Sequence, residues 1–138
     1  MSDDLVQFLR DRLDDDERIA RHAVDGPWVD PMGGPIRGGY EERFVIAQQV
    51  QRWNSQHIVR HDPARVLREV EAKRRILYLA VQLPKVTAST DMFDNSRDAW
   101  ADVLKQLALP YADHPDYRDE WRPTPSSRPI VDETGSKL

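Results

Sequence analysis

Between Asp62 and Pro84 the chain carries a start signal, a stop signal and one sustained apolar stripe, and this stretch commits it to a long helix. Asp62 can cap exposed backbone N–H groups, and Pro63 falls at the first helical position, where its missing N–H costs nothing. Val66, Leu67, Val70, Lys73, Ile76, Leu77, Ala80 and Val81 then carry helical periodicity to Leu83, and Pro84 is expected to block further growth. Glu69–Lys73 and Glu71–Arg75 place an acid four residues before a base, the favourable order along a helix. A helix of this kind must cover its stripe, so the flanking segments have to supply partners.

They do so with helices of their own. Leu5, Phe8, Leu9, Leu13, Ile19, Ala20 and Ala23 recur at helical spacing behind the candidate caps Ser2 and Asp3, which predicts a helix over 4–24. Asp14-Asp15-Asp16-Glu17 sits on its solvated face as a weak point, Gly26-Pro27 ends it, and Trp28 is expected to fold back onto it. Residues 26–41 are too rich in Gly and Pro for helix. They leave room for a short β-hairpin in which Trp28-Val29 pairs with Phe44-Val45-Ile46. Gly33-Gly34-Pro35 and Gly38-Gly39 lack the spacing of a nucleotide-binding loop and read as ordinary loop.

A second helix is predicted over 42–60 and a fourth over 97–109, capped at Ser96 after a polar linker from Pro84 to Asn95. A short last helix is expected over 114–121. Leu67, Val70, Ile76, Leu77, Trp100 and Leu104 should be buried. We therefore expect a mainly α fold, a single helical domain over 1–123 of about four helices with a hairpin in the Gly/Pro-rich region. Residues 124–138, rich in Ser, Thr and Pro, should form a flexible C-terminal tail.

Net charge is −4, which gives no global attraction for nucleic acid or anionic lipid. Locally the charge is uneven. Met1 to Asp25 holds eight acids against four Arg, whereas Arg60 to Arg75 holds six basic side chains against Asp62, Glu69 and Glu71. The two segments are expected to pack together and partly neutralise each other. The chain has no Cys, so disulfides, thiolate nucleophiles and Cys-ligated zinc are excluded. An acidic N-terminus and a longest apolar run of only Ile76 to Val81 suggest a cytoplasmic protein with no membrane partner.

Two blocks carry a resemblance. His57-Ile58-Val59-Arg60-His61-Asp62-Pro63-Ala64-Arg65-Val66-Leu67-Arg68-Glu69-Val70-Glu71-Ala72-Lys73-Arg74-Arg75-Ile76-Leu77 resembles the signature block of an uncharacterised protein family of actinobacteria and their phages. The stretch from Ala108-Leu109-Pro110-Tyr111 to Asp119-Glu120-Trp121-Arg122-Pro123 is similar to that family's usual end. The resemblance implies no activity. Many similar proteins place a Cys-rich insert before the closing block; here Pro84 to Leu107 contains no Cys, so no zinc role transfers.

His57 and His61 stand four apart, and on one helix they would share a face as metal ligands do. The segment His-Ile-Val-Arg-His lacks the Glu that serves as general base in His-Glu-x-x-His. We therefore expect no metal and no cofactor, with a metal-dependent hydrolase at His57 and His61 as one alternative. Asp113, Asp116, Asp119 and Glu120 offer carboxylates without a pattern that selects an acid–base pair. The candidate binding surface comprises Arg65, Arg68 and Arg74 together with Tyr111, His114, Tyr117 and Trp121. The aromatic members are read first as pins that hold the C-terminal segment to the core. A non-enzymatic protein-interaction or accessory role, through a protein partner or self-association, is the expected function. Nucleic-acid binding is the other alternative; the acids at 69 and 71 interrupt the basic helix and argue against it.

Overall fold

The computed structural model describes residues 3–86 and 94–124. The elements run α1 (Asp3–His22), β1 (Ile36–Gly38), β2 (Phe44–Ala47), α2 (Arg52–Arg60), α3 (Pro63–Val86) and α4 (Asp94–Ala108). Single 3₁₀ turns follow at Leu109–Tyr111 and Asp119–Trp121. The chain is mainly helical with one small antiparallel hairpin, as its sequence predicts. None of the described helices is long and apolar enough to cross a membrane.

Three helices build the core, with α1 packed on both α3 and α4. Leu5, Val6, Phe8, Leu9 and Leu13 of α1 meet Val70, Leu77 and Ala80 of α3 and Leu104 and Ala108 of α4. Trp121 closes the cluster from the C-terminal segment. Of the residues expected inside, Val70, Leu77 and Leu104 are buried, while Leu67, Ile76 and Trp100 are only half-buried. α1 is continuous through Asp14–Glu17, so the acidic run is no weak point. Its acids lie on faces that the core does not use, and several find basic partners.

The predicted helix over 42–60 is corrected: only Arg52–Arg60 is helical. Phe44–Ala47 is a strand paired antiparallel with Ile36–Gly38, in the register Arg37↔Val45 and Gly38↔Phe44. Gln49, at a positive φ of 55°, holds the backbone out of helix before α2 can begin. The hairpin partner is corrected too, because Val29 bridges Arg37 rather than Phe44-Val45-Ile46. Gly38 is needed where this backbone crosses Trp28, since a Cβ there would collide with the indole. α3 runs to Val86, three residues past its predicted end: Pro84 removes one backbone donor without stopping the last turn. α4 starts at Asp94, so Ser96 lies inside it rather than at its cap. The helix expected over 114–121 is only the turn Asp119–Trp121, because Pro115 and the extended Arg118 interrupt it. Of the predicted linker, residues 87–93 lie outside the described residues. All of the predicted tail except Thr124 does so too.

One carboxylate joins the Gly/Pro region to the helices. Asp62 is buried; its Oδ1 accepts from the Arg65 backbone N–H at 2.9 Å and so caps α3. Its Oδ2 accepts from the Trp28 backbone N–H at 3.0 Å. The Trp28 indole in turn donates to the Val24 carbonyl at 2.8 Å, folding the chain back over the end of α1 as expected.

Candidate functional site

The acidic helix and the basic helix do pack together, and the line where they meet forms an open groove of about 670 Å³. Leu67, Val70, Tyr78 and Leu79 of α3 supply its apolar surface, and Arg21, Arg68 and Arg75 stand among them. Tyr78 is 65% and Leu79 42% exposed, a large apolar surface for one helix turn on so charged a chain.

Charge along the groove is partly spent inside the fold. Arg74 pairs with Asp14 at 2.6 Å and Glu17 at 2.8 Å, clamping α3 to α1. Arg65 is held by Glu69 at 2.7 Å and donates to the Arg60 carbonyl at 3.2 Å. Glu69 thus takes Arg65 as its ion-pair partner instead of Lys73, whose ammonium sits 5.9 Å from the centre of the Tyr111 ring. Arg75 pairs with Glu71 at 2.6 Å on the surface. Among the described residues, Arg68 makes no ion pair.

Hydrogen bonds from Arg74 and then Arg21 hold the Glu17 carboxyl below its ordinary range, and Arg65 does the same for Glu69. Arg74 itself is raised by the same contacts. A carboxyl lowered in the folded state contributes stability that is present above its unfolded value and lost as pH falls through its folded value. The thermal midpoint should therefore fall with acidification below about pH 4.5, and Glu17→Gln should flatten that fall while lowering the midpoint at pH 7. Unfolding followed by circular dichroism across the acid range checks this; parallel profiles for the two proteins would refute it.

The remaining candidate residues lie at the opposite end of α1. Tyr111, His114, Tyr117 and Trp121 surround Phe8, with ring centroids 5.0–6.4 Å away. Tyr111 donates its hydroxyl to Asp16 at 2.5 Å, and burial followed by that hydrogen bond pushes its pKa up. The largely buried Arg12 guanidinium reaches the His114 ring, with Nη1 2.9 Å from Nδ1 and 2.6 Å from Nε2. Arg118 reaches back to Asp4 at 2.9 Å. Trp121 is 4% exposed, so its ring faces inward rather than toward a partner.

His57, in the last turn of α2, and His61, just past its end, bring their rings together with centroids 4.4 Å apart. The His61 Nδ1 lies 2.8 Å from the His57 carbonyl, which gives the imidazole a local role at the end of the helix. No third His, Asp or Glu among the described residues completes a metal set with them. Asp62 is adjacent in sequence, yet it is occupied with Trp28 and Arg65.

The groove itself was not legible as a site. One signal pointed to it: Ile76-Leu77-Tyr78-Leu79-Ala80-Val81 is apolar all the way round the helix, more than one core-facing stripe requires. The surplus residues Tyr78 and Leu79 are the ones left at the surface.

Comparison with known proteins returns a family model, described as a family of unknown function (DUF6221), matching residues 2–123. No curated protein and no solved structure matches the chain significantly.

Proposed function

We propose that this chain, which belongs to the DUF6221 family of unknown function, is a non-enzymatic interaction protein that docks a partner in the α1–α3 groove. The setting we propose is the cytoplasm of an actinobacterial host or one of its phages, and the partner an acidic amphipathic helix. The supporting observation is the exposed Tyr78-Leu79 surface flanked by Arg68, Arg75 and Arg21. Apolar residues of an incoming helix would cover the tyrosine and leucine, and its acids would meet the arginines. Arg74 serves the fold first, since its ion pairs join α3 to α1, and Arg65 lies outside the groove lining. Arg21 and Arg75 pair with Glu17 and Glu71 within their own helices and stay exposed. That internal neutralisation, with Glu17 and Glu71 in the groove wall, weighs against a phosphate-tracking basic face.

Affinity capture from the native host, run with and without nuclease, should recover a partner in both arms. The partner's docking segment, titrated into purified protein, should then lose at least about tenfold in affinity against Arg68→Glu/Arg75→Glu. Tyr78→Ala should have a similar effect, and both variants should keep the parent's circular dichroism. Affinity unchanged in both variants would overturn the groove. Partner recovery abolished by nuclease would favour the nucleic-acid alternative, and capture of the chain by itself alone would identify self-association.

A further inference from the structure

The end of α2 brings together two imidazoles that take no part in the groove. There the His61 backbone N–H donates to the Ile58 carbonyl at 3.1 Å, and the His57 carbonyl is met by the His61 ring, with Nδ1 at 2.8 Å. A carbonyl can only accept, so His61 Nδ1 carries a hydrogen and the lone pair of the neutral ring falls on Nε2. The same contact fixes the orientation of the ring. Histidines that hold metals are arranged in this way, with one ring nitrogen tied to a carbonyl or carboxylate and the other left for the ion.

The neighbouring ring is a separate observation. His57 lies four residues back with its centroid 4.4 Å from that of His61, and its ring makes no hydrogen bond among the described residues. Both residues are exposed, and neither forms an ion pair among the described residues. His22 supplies an internal comparison. Its Nδ1 lies 2.7 Å from the Arg18 carbonyl, the same local contact at the end of α1, but the residue four positions back is an arginine. His22 therefore offers an ion one ligand, whereas the pair offers two.

The surroundings select the kind of ion. Arg60 adjoins His61, and the Arg65 guanidinium donates to the Arg60 carbonyl at 3.2 Å. Positive charge here disfavours a hard cation such as Mg²⁺, which seeks carboxylates and carbonyls. It leaves the ions that bind imidazole nitrogen by preference.

We propose that His57 and His61 chelate one divalent ion of the zinc, nickel or copper class, which ties the last turn of α2 to the residue that ends it. Two protein ligands leave the remaining positions of the ion to water. The His-Ile-Val-Arg-His segment has no Glu to act as general base, so the pair holds an ion without the means to hydrolyse a bond.

Imidazole resonances of the full chain, titrated at neutral pH with Zn²⁺ and in parallel with Mg²⁺, test this. His57 and His61 should respond together, at a Zn²⁺ concentration about tenfold or more below the one that moves His22, because the second ligand binds intramolecularly. Mg²⁺ should move neither. His57→Ala keeps the backbone carbonyl that orients His61 and removes only the second ligand. It should raise the Zn²⁺ midpoint of His61 to that of His22. Affinity at the pair should also fall as the buffer is acidified, since both rings must be unprotonated to bind. A midpoint shared by all three histidines, or a His61 midpoint unchanged in His57→Ala, would mean adventitious single-ligand contacts and overturn the chelate. Equal responses to Mg²⁺ and Zn²⁺ would overturn the assigned class of ion.

Discussion

Replacing Leu77 with alanine should lower the unfolding free energy by about 2–5 kcal/mol, the cost of lost transfer energy plus a cavity that its neighbours cannot collapse to fill. Leu77 is 4% exposed at the centre of the cluster formed by α1, α3 and α4. A domain of this size has about 5–15 kcal/mol of stability in total, so the variant should unfold at markedly lower urea with an unchanged slope. The next residue supplies the control. Tyr78 faces the groove and its truncation should be nearly neutral for folding, within about 1 kcal/mol. Equal losses at the two positions would mean that the groove is part of the core.

Asp62→Ala should be nearly as damaging, at roughly 2–4 kcal/mol. It removes the cap of α3, worth about 1 kcal/mol, and leaves the Trp28 N–H without its acceptor, about 1–3 kcal/mol more. Both contacts come from a single carboxylate that is itself 6% exposed. Asp62→Asn retains one carbonyl oxygen but turns an amide toward one of the two donors, so it should recover only part of the loss. Hydrogen exchange separates the two contributions. Asp62→Ala should speed exchange at Arg65 and at Trp28 alike; acceleration confined to Arg65 would reduce Asp62 to a helix cap.

These expectations rest on features that differ in how openly the residues declare them. Asp62-Pro63 and Gly26-Pro27 punctuate the chain by local stereochemistry, and the helix ends there follow closely. The stretch 42–50 does not declare its strand, because Phe44-Val45-Ile46 satisfies a helical or an extended pattern equally well over so few residues. The choice was made from outside, by Ile36–Gly38 offering a paired edge and by Gln49 adopting positive φ. The opposite charges of α1 and α3 announced their pairing, although which arginine would be consumed by it depended on the helix–helix register. Arg74 is clamped while Arg68, six residues earlier, carries no ion pair among the described residues.

The aromatic closure over Phe8 also sets an order of events during synthesis. Arg12 and His114, which meet in the folded protein, are separated by 102 positions, and Asp4 and Arg118 by 114. The apolar side of α1 leaves the ribosome first and receives its last cover only when Trp121 has emerged. At about 5–20 residues per second, translating the interval between Arg12 and His114 takes on the order of 5–20 s. For that time Phe8 lacks the four rings that surround it in the folded protein.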